Sequence, residues 1–290
     1  MRLAGLRHDD EAVTVGRTLV RDWVTNGTGP QTRDDIRRQV ADRNLLARDG
    51  TLVLAVNAID NAATSMQPNV VIDIVDLYDG GDSFSRVKLR DPDDWANKVA
   101  PAVQGAARQL ETFGPRRVHV VGWLRLPLWF AIGRALPDVR GWVLSLDQRN
   151  VEWATDAVHE DAPVRVLLDE DVGGGDDIAI AIAMTHDPTA EVRQYLDTGG
   201  PPVRRLLMLG PEGEPGPTSV PSAGWAAAWV RNARDRARAA ATSIGAPRAH
   251  LFMAAPAGVA LMLGHQWNLM PPTMVYEHLR PSYAPTLQVS

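Results

Sequence analysis

Trp123 and Arg125 stand two residues apart where the apolar run RVHVVGW gives way to Leu-Arg-Leu-Pro. An indole face can stack on a nucleobase, and a planar guanidinium matches the oxygens of a phosphate. A second turn of this kind, Ala254-Ala255-Pro256-Ala257-Gly258, closes the apolar run AHLFMAAP. Its small residues admit a ligand to the backbone, and free amides at a helix start can receive a phosphate or a base edge. Trp123, Arg125, Pro127, Ala255 and Pro256 are therefore candidate ligand contacts. Taken singly, each turn is read equally well as close strand-to-helix packing with a solvated arginine.

Two further strand ends carry polar chemistry. Thr185 and His186 follow the buried-looking run IAIAIAM, where they either hydrogen-bond ligand phosphates and sugars or leave Thr185 and Asp187 to cap the next helix. Gly210 ends another strand and opens the loop PEGEPGPTSVPSAG, and loops this long without periodicity are usually functional or disordered. His119 and His250 lie inside apolar strands and read as structural. Asp169-Glu170-Asp171, followed by Asp176-Asp177, reads as a solvated turn rather than a cation site. The chain has no GxxxxGK[ST], GxSxG, HExxH or zinc-deaminase pattern, and no GxGxxG after its first strand. The expectation is no catalytic residue, no metal and no cofactor.

The elements that must position these residues come in two copies. FGPRRVHVVGWLRLPLWFAIG and IGAPRAHLFMAAPAGVALMLG align without a gap, placing Gly114 on Gly245, Arg117 on Arg248, His119 on His250 and Gly133 on Gly264, each pair 131 residues apart. Each copy follows a long Ala/Arg-rich segment with a tryptophan near its start, Trp95 or Trp225. Residues 92–146 and 223–277 should then superpose as helix–strand–helix–strand modules about a pseudo-two-fold axis, with a ligand bound between the halves.

Around these copies the pattern is α/β. TLVLAVNAI, NVVIDIVDLY, RVHVVGW, GWVLSLD, VRVLLDED, DIAIAIAM, VRRLLMLG, AHLFMAAP and TMVYEHL read as strands. Residues 91–114, PLWFAIGRALP, PTAEVRQYLD, residues 224–245 and AGVALMLGHQW read as helices, and the boundary between halves falls near 155–163. Near-continuous apolar strands alternating with helices imply a parallel-rich sheet covered on both faces. The expected division is a helical appendage over 1–48 and a domain over 49–290, with halves of about 49–157 and 158–290. In the appendage, EAVTVGRTLVRDWV and TRDDIRRQVADRNLL are helical on either side of GTGP. Helix, turn, helix and strand also matches a small winged-helix layout, but docking or partner binding is the preferred reading.

The chain has 290 residues, no cysteine, a formal charge of −5 and a pI near 5.8. Disulfides, thiolate metal sites and cysteine nucleophiles are excluded. The acidic balance argues against broad gripping of DNA or anionic membrane, though not against a local basic pocket. Nearly all cations are arginine, Lys88 and Lys98 being the lysines, which reflects a GC-rich genome. No apolar run reaches the ~18 residues of a membrane span, and the start MRLAGLRHDDEA is too charged for a signal peptide. A soluble, cytoplasmic, prokaryotic protein is expected.

AHLFMAAPAGVALMLGHQW, then MVYEHL, then Tyr283 before a final strand, resembles the end of SAVED domains, and DIAIAIAMTHDPTAEVRQYL resembles their central strand and helix. The resemblance covers about residues 50–290. It implies two fused CARF-like Rossmann-type halves that sense cyclic oligonucleotides in bacterial antiphage systems, either cyclase-linked or type III CRISPR. It also implies self-association into head-to-tail oligomers or filaments on ligand binding. Many such proteins carry a nuclease, TIR, protease or membrane effector, for which a 48-residue head is too short; in a complete chain the effector is a separate protein. The competing reading is a nucleotide-acting enzyme such as a ring nuclease that linearises the messenger. A subunit with no ligand of its own is a third.

Overall fold

The computed structural model describes residues 10–25, 32, 35–36, 39–40, 43, 50–64 and 66–290. Helix α1 (Asp10–Thr25) buries Leu19 against Val40, with Val15 and Trp23 packed around them. The GTGP break and most of the second expected helical stretch lie outside the described residues.

The first sheet is built from β1 (Thr51–Asn57), β2 (Val70–Asp73), β3 (Arg117–Gly122), β4 (Val143–Gln148) and β5 (Val151–Ala154), in the order β2-β1-β3-β4-β5. All its pairings are parallel except that of the edge strand β5. A wide turn over Trp95–Val99 leads into α2 (Ala100–Glu111), and α3 (Leu126–Ala135) joins β3 to β4.

The second sheet contains β6 (Arg165–Asp171), β7 (Asp177–Ala183), β8 (Val203–Gly210), β9 (Ala249–Ala254), β10 (Thr273–His278) and β11 (Tyr283–Val289), in the order β11-β10-β9-β7-β8-β6. Helices α4 (Thr189–Asp197), α5 (Ala223–Ile244) and α6 (Ala257–Gln266) connect its parallel strands.

Placing β7, β8, β9, β10 and β11 on β1, β2, β3, β4 and β5 reproduces the first sheet's order, with β6 added at the outer edge. The helix–strand–helix–strand order of α2-β3-α3-β4 recurs in α5-β9-α6-β10. The duplication read from the sequence is therefore a duplication of fold.

Its axis passes where α3 crosses α6. Both helices are almost wholly buried, as their apolar character on every face requires. A Cβ on Gly133 would run into the Leu261 carbonyl, and one on Gly264 into the Phe130 carbonyl. Phe130 and Leu261 are themselves 131 residues apart, so the two glycines make one reciprocal contact. One core, from Leu52 to Leu287, runs through both halves.

Two elements differ from the sequence expectation. NVVIDIVDLY is not one strand, because its ladder with β1 ends at Asn57–Asp73 and Val75–Leu77 then coil into a 3₁₀ turn. β5 occupies a stretch to which the sequence assigns no element, between the strand ending at Asp147 and the boundary near 155–163. Arg149 and Asn150 take φ of 54° and 63° and close a two-residue hairpin between Gln148 and Val151. Positive φ at both central residues usually calls for Asn-Gly or Asp-Gly, so Arg-Asn gives little signal.

The halves also differ in one connection. Between β7 and β8, α4 covers the outer face of the sheet, with Tyr195 against Phe252, Tyr276 and Tyr283. The corresponding segment between β1 and β2, residues 58–69, has no helix among the described residues.

Candidate ligand-binding site

Strands β3 and β4 pair only over Arg117–His119 with Val143–Ser145. Beyond His119 they diverge, while β1 stays paired with β3 as far as Gly122. The strand order reverses between β1 and β3, where open α/β sheets bind ligands beyond their carboxyl ends. A cavity of about 570 Å³ opens there, with Ile59 and Ala63 from the β1–β2 connection, Trp123 from the end of β3, and Asp147 and Gln148 from β4 in its wall. Ala257, the first residue of α6, closes it from the other half.

Trp123 is 66 % exposed, which leaves a large apolar surface in water at the mouth of a cavity. The backbone carbonyl of Trp123 accepts from the amide of Ile59 (3.2 Å), fixing the turn to the end of β1. Trp129 lines the floor. Gln148 joins the halves, its Oε1 accepting from the Gly258 amide at 3.1 Å. A Cβ on Gly258 would lie 2.5 Å from the Trp153 ring, so this turn is close-packed, and Ala255 is buried within it.

A smaller hollow of about 240 Å³ adjoins the cavity through Gln148 and is lined by Arg149, Trp153, Pro217, Pro221 and Pro256. Arg149 donates to the Pro217 carbonyl at 2.6 Å, and among the described residues no carboxylate pairs with it. Pro217 belongs to the long loop, which the Gly216 amide and the Ser219 hydroxyl fasten to the Met184 carbonyl at the end of β7. The loop thus spans from one half to the other beside the cavity.

The structure gathers some of the predicted residues and disperses the rest. Trp123 lines the cavity and Pro256 the smaller hollow. Pro127 is buried in the first turn of α3. Gly210 is buried, its carbonyl accepting from the Trp229 indole (3.2 Å). Thr185 and His186 lie at the end of β7 in the second half and line neither space; the Thr185 amide donates to Ala254 (2.8 Å). Asp187 accepts from the Thr189 amide (2.9 Å), the first of α4.

Arg125 turns away from the cavity into the seam between the halves. Its guanidinium donates to the Arg86 carbonyl at 3.0 Å and lies near Tyr78 and Glu277. Tyr78 is fully buried and Glu277 is 8 % exposed. Among the described residues Tyr78 Oη, Arg125 Nε and Glu277 Oε2 all lack a hydrogen-bond partner. Burial pushes the Glu277 carboxyl up to about 8, against the pull of Arg125 and of a backbone hydrogen bond.

Sequence reading missed His119, Trp129, Asp147, Gln148 and Arg149. The repeat itself marked His119, but only the divergence of β3 from β4 shows that it lines a cavity. For Gln148 and Arg149 the signal was hidden with the hairpin they open.

Comparison with known proteins agrees with this architecture. The family described as SAVED, "SMODS-associated and fused to various effectors sensor domain", matches residues 85–289. The chain belongs to the SAVED family. This SAVED domain superposes on the Cap4 SAVED/CARF-domain containing receptor of Acinetobacter baumannii bound to the cyclic trinucleotide 3'3'3'-cAAA, with a TM-score of 0.64 and 18 % identity over 88 % of this chain and 55 % of that one. The Cap4 receptor of Moraxella osloensis gives a TM-score of 0.60 and 18 % identity over 98 % of this chain and 61 % of the other. CD-NTase-associated protein 4 of Enterobacter hormaechei subsp. hoffmannii (strain UCI 50) is 28 % identical over 118 residues, 41 % of this chain and 23 % of that protein. The chain thus spans less than two thirds of each of these relatives. Among the described residues no helix is long and apolar enough to cross a membrane.

Proposed function

We propose that this SAVED domain is the sensor of a cyclic oligonucleotide second messenger in antiphage defence, and that it takes the messenger into the cavity between β3, β4 and the start of α6. The observation that carries this reading is the exposed Trp123 at the mouth of a cavity that both halves close. A nucleobase stacked on such an indole gains roughly 1–3 kcal/mol. The Ala257 amide at the positive end of α6 and the Arg149 guanidinium supply phosphate donors. The Cap4 receptor with the same fold holds a cyclic trinucleotide, so a cyclic tri- or tetra-adenylate is the first ligand to offer.

Binding needs no metal or cofactor in this reading. The bound sensor self-associates head to tail and activates an effector, with residues 1–48 as the segment that meets it, and the site of action is the cytoplasm. The test is a thermal-shift panel of cyclic di-, tri- and tetranucleotides, followed by chromatography of the recovered ligand. Stabilisation with intact ligand supports a receptor. Linear product turns the reading to an enzyme, and silence across the panel removes the messenger.

A further inference from the structure

The duplication supplies an internal control for one side chain. His119 and His250 occupy equivalent places on β3 and β9, and each Nδ1 meets a hydroxyl at 2.9 Å, Ser145 in one copy and Tyr276 in the other. Ser145 and Tyr276 are again 131 residues apart. In the second copy Nε2 meets Asp177 Oδ2 at 3.0 Å, and Arg248 reaches the same oxygen at 3.1 Å. A carboxylate only accepts, so His250 carries its proton on Nε2 and Nδ1 accepts from the Tyr276 hydroxyl.

His119 has no such carboxylate, and its assignment follows from its equivalence to His250. Ser145 is fully buried; with its hydroxyl donating to Nδ1 as that of Tyr276 does in the other copy, the neutral ring keeps its N–H on Nε2. Among the described residues that donor has no hydrogen-bond partner. The register that puts Asp177 two residues before the residue facing His250 puts Thr51 at the matching place beside His119. The nearest carboxylate is Asp147, 3.8 Å from Nε2 and largely exposed; Glu152 stands 3.9 Å from Nδ1. His119 itself is only 6 % exposed, yet it lines the cavity.

We infer that the two copies have divided their roles: His250 is locked into the fold by Asp177, and His119 is a ligand-contacting residue whose Nε2–H donates to an anionic phosphate oxygen of the nucleotide in the cavity. A phosphate supplies the acceptor that Asp177 supplies in the other copy. This rests on the receptor reading above and names one contact within it. An oxygen entering there displaces the Asp147 carboxylate, which it also repels.

The experiment titrates cyclic tri-adenylate into the full chain by calorimetry and follows inorganic phosphate by ¹⁵N resonances of the imidazoles. His119→Phe should weaken the nucleotide at least tenfold, while His119→Gln, which keeps a donor, stays within about threefold of the parent. His250→Gln should lower the melting temperature and leave affinity within about twofold. Asp147→Asn should bind as well as the parent or better. Parent-like binding by His119→Phe, or a loss in Asp147→Asn as large as that in His119→Phe, overturns the contact while the receptor reading stands. Where the parent binds no cyclic nucleotide, the receptor reading falls and the imidazoles decide the rest. A phosphate-dependent shift at Nε2 of His119 and not of His250 upholds the donor, and no shift at either removes it.

Discussion

Trp123 and Arg125 were read from the sequence as partners in one task, and the fold separates them. The indole is the exposed one, so its loss should cost binding and little else. Trp123→Ala is expected to weaken a cyclic oligoadenylate at least tenfold, in line with the ~1–3 kcal/mol of a stacked base. Its melting temperature should match the parent's, since nothing buried is disturbed. Calorimetry and a thermal scan on the same preparation check both halves of that statement. Arg125 instead faces the buried Glu277, which makes it a matter of stability and pH. Burial holds the Glu277 carboxyl at about 8 in the folded chain, well above the ordinary carboxylate range of the unfolded one. Between those values the folded state holds a proton that the unfolded state has released, so stability falls as pH rises through the window and levels off above it. Glu277→Gln should flatten that fall in urea midpoints measured from pH 5 to pH 8.5. Arg125→Ala removes the cation that draws the carboxyl down and should carry the fall on to higher pH.

Among the elements, α3 and α6 carry the sharpest expectation. Glycine inside a helix is ordinarily worth replacing, alanine gaining about 1 kcal/mol in propensity. At Gly133 and Gly264 the sign should invert, because each new methyl meets the backbone carbonyl of the facing helix. Overpacking of this kind costs typically 1–3 kcal/mol and more where backbone must move. Gly133→Ala and Gly264→Ala should each lower the denaturation midpoint by similar amounts, while alanine at half-buried, helical Gly105, with only the Arg108 side chain nearby, should not. The glycine pair was visible in the sequence as an aligned repeat, and so were the strands whose apolar runs are long enough to be buried on both faces, β7 above all. Less was legible where structure depends on a partner. β5 exists only as the edge of β4, and the 3₁₀ turn after Asp73 begins where β1 ends. The cavity eluded the sequence for the same reason: it arises from β3 and β4 parting after His119, which no local pattern records. Arg125 was misplaced because its destination, Glu277, lies in the other half.

At the scale of the molecule, both sheets share one apolar core, so a ligand held between them must stabilise the whole cooperative unit. At a hundred times its dissociation constant such a ligand adds about 2.7 kcal/mol, and for a domain of this size that should raise a single melting transition by a few degrees. Two transitions, with only one shifted, would mean that the halves melt separately and that the cavity does not couple them. A pseudo-symmetric chain also has two similar but unequal ends. Ends of that kind can meet head to tail, and such a heterologous contact grows into an open filament unless its rotation closes a ring. A ligand at the mouth of one half can complete the surface that receives the next copy, and it then favours assembly to the extent that it binds the assembled form more tightly. Light scattering at saturating ligand should therefore show growth that the free chain lacks, and Trp123→Ala should shift its onset to higher ligand concentration by the same factor as its loss of affinity. A liganded chain that stays monomeric, with its melting temperature raised, would keep the cavity as the binding site and exclude self-assembly as its output.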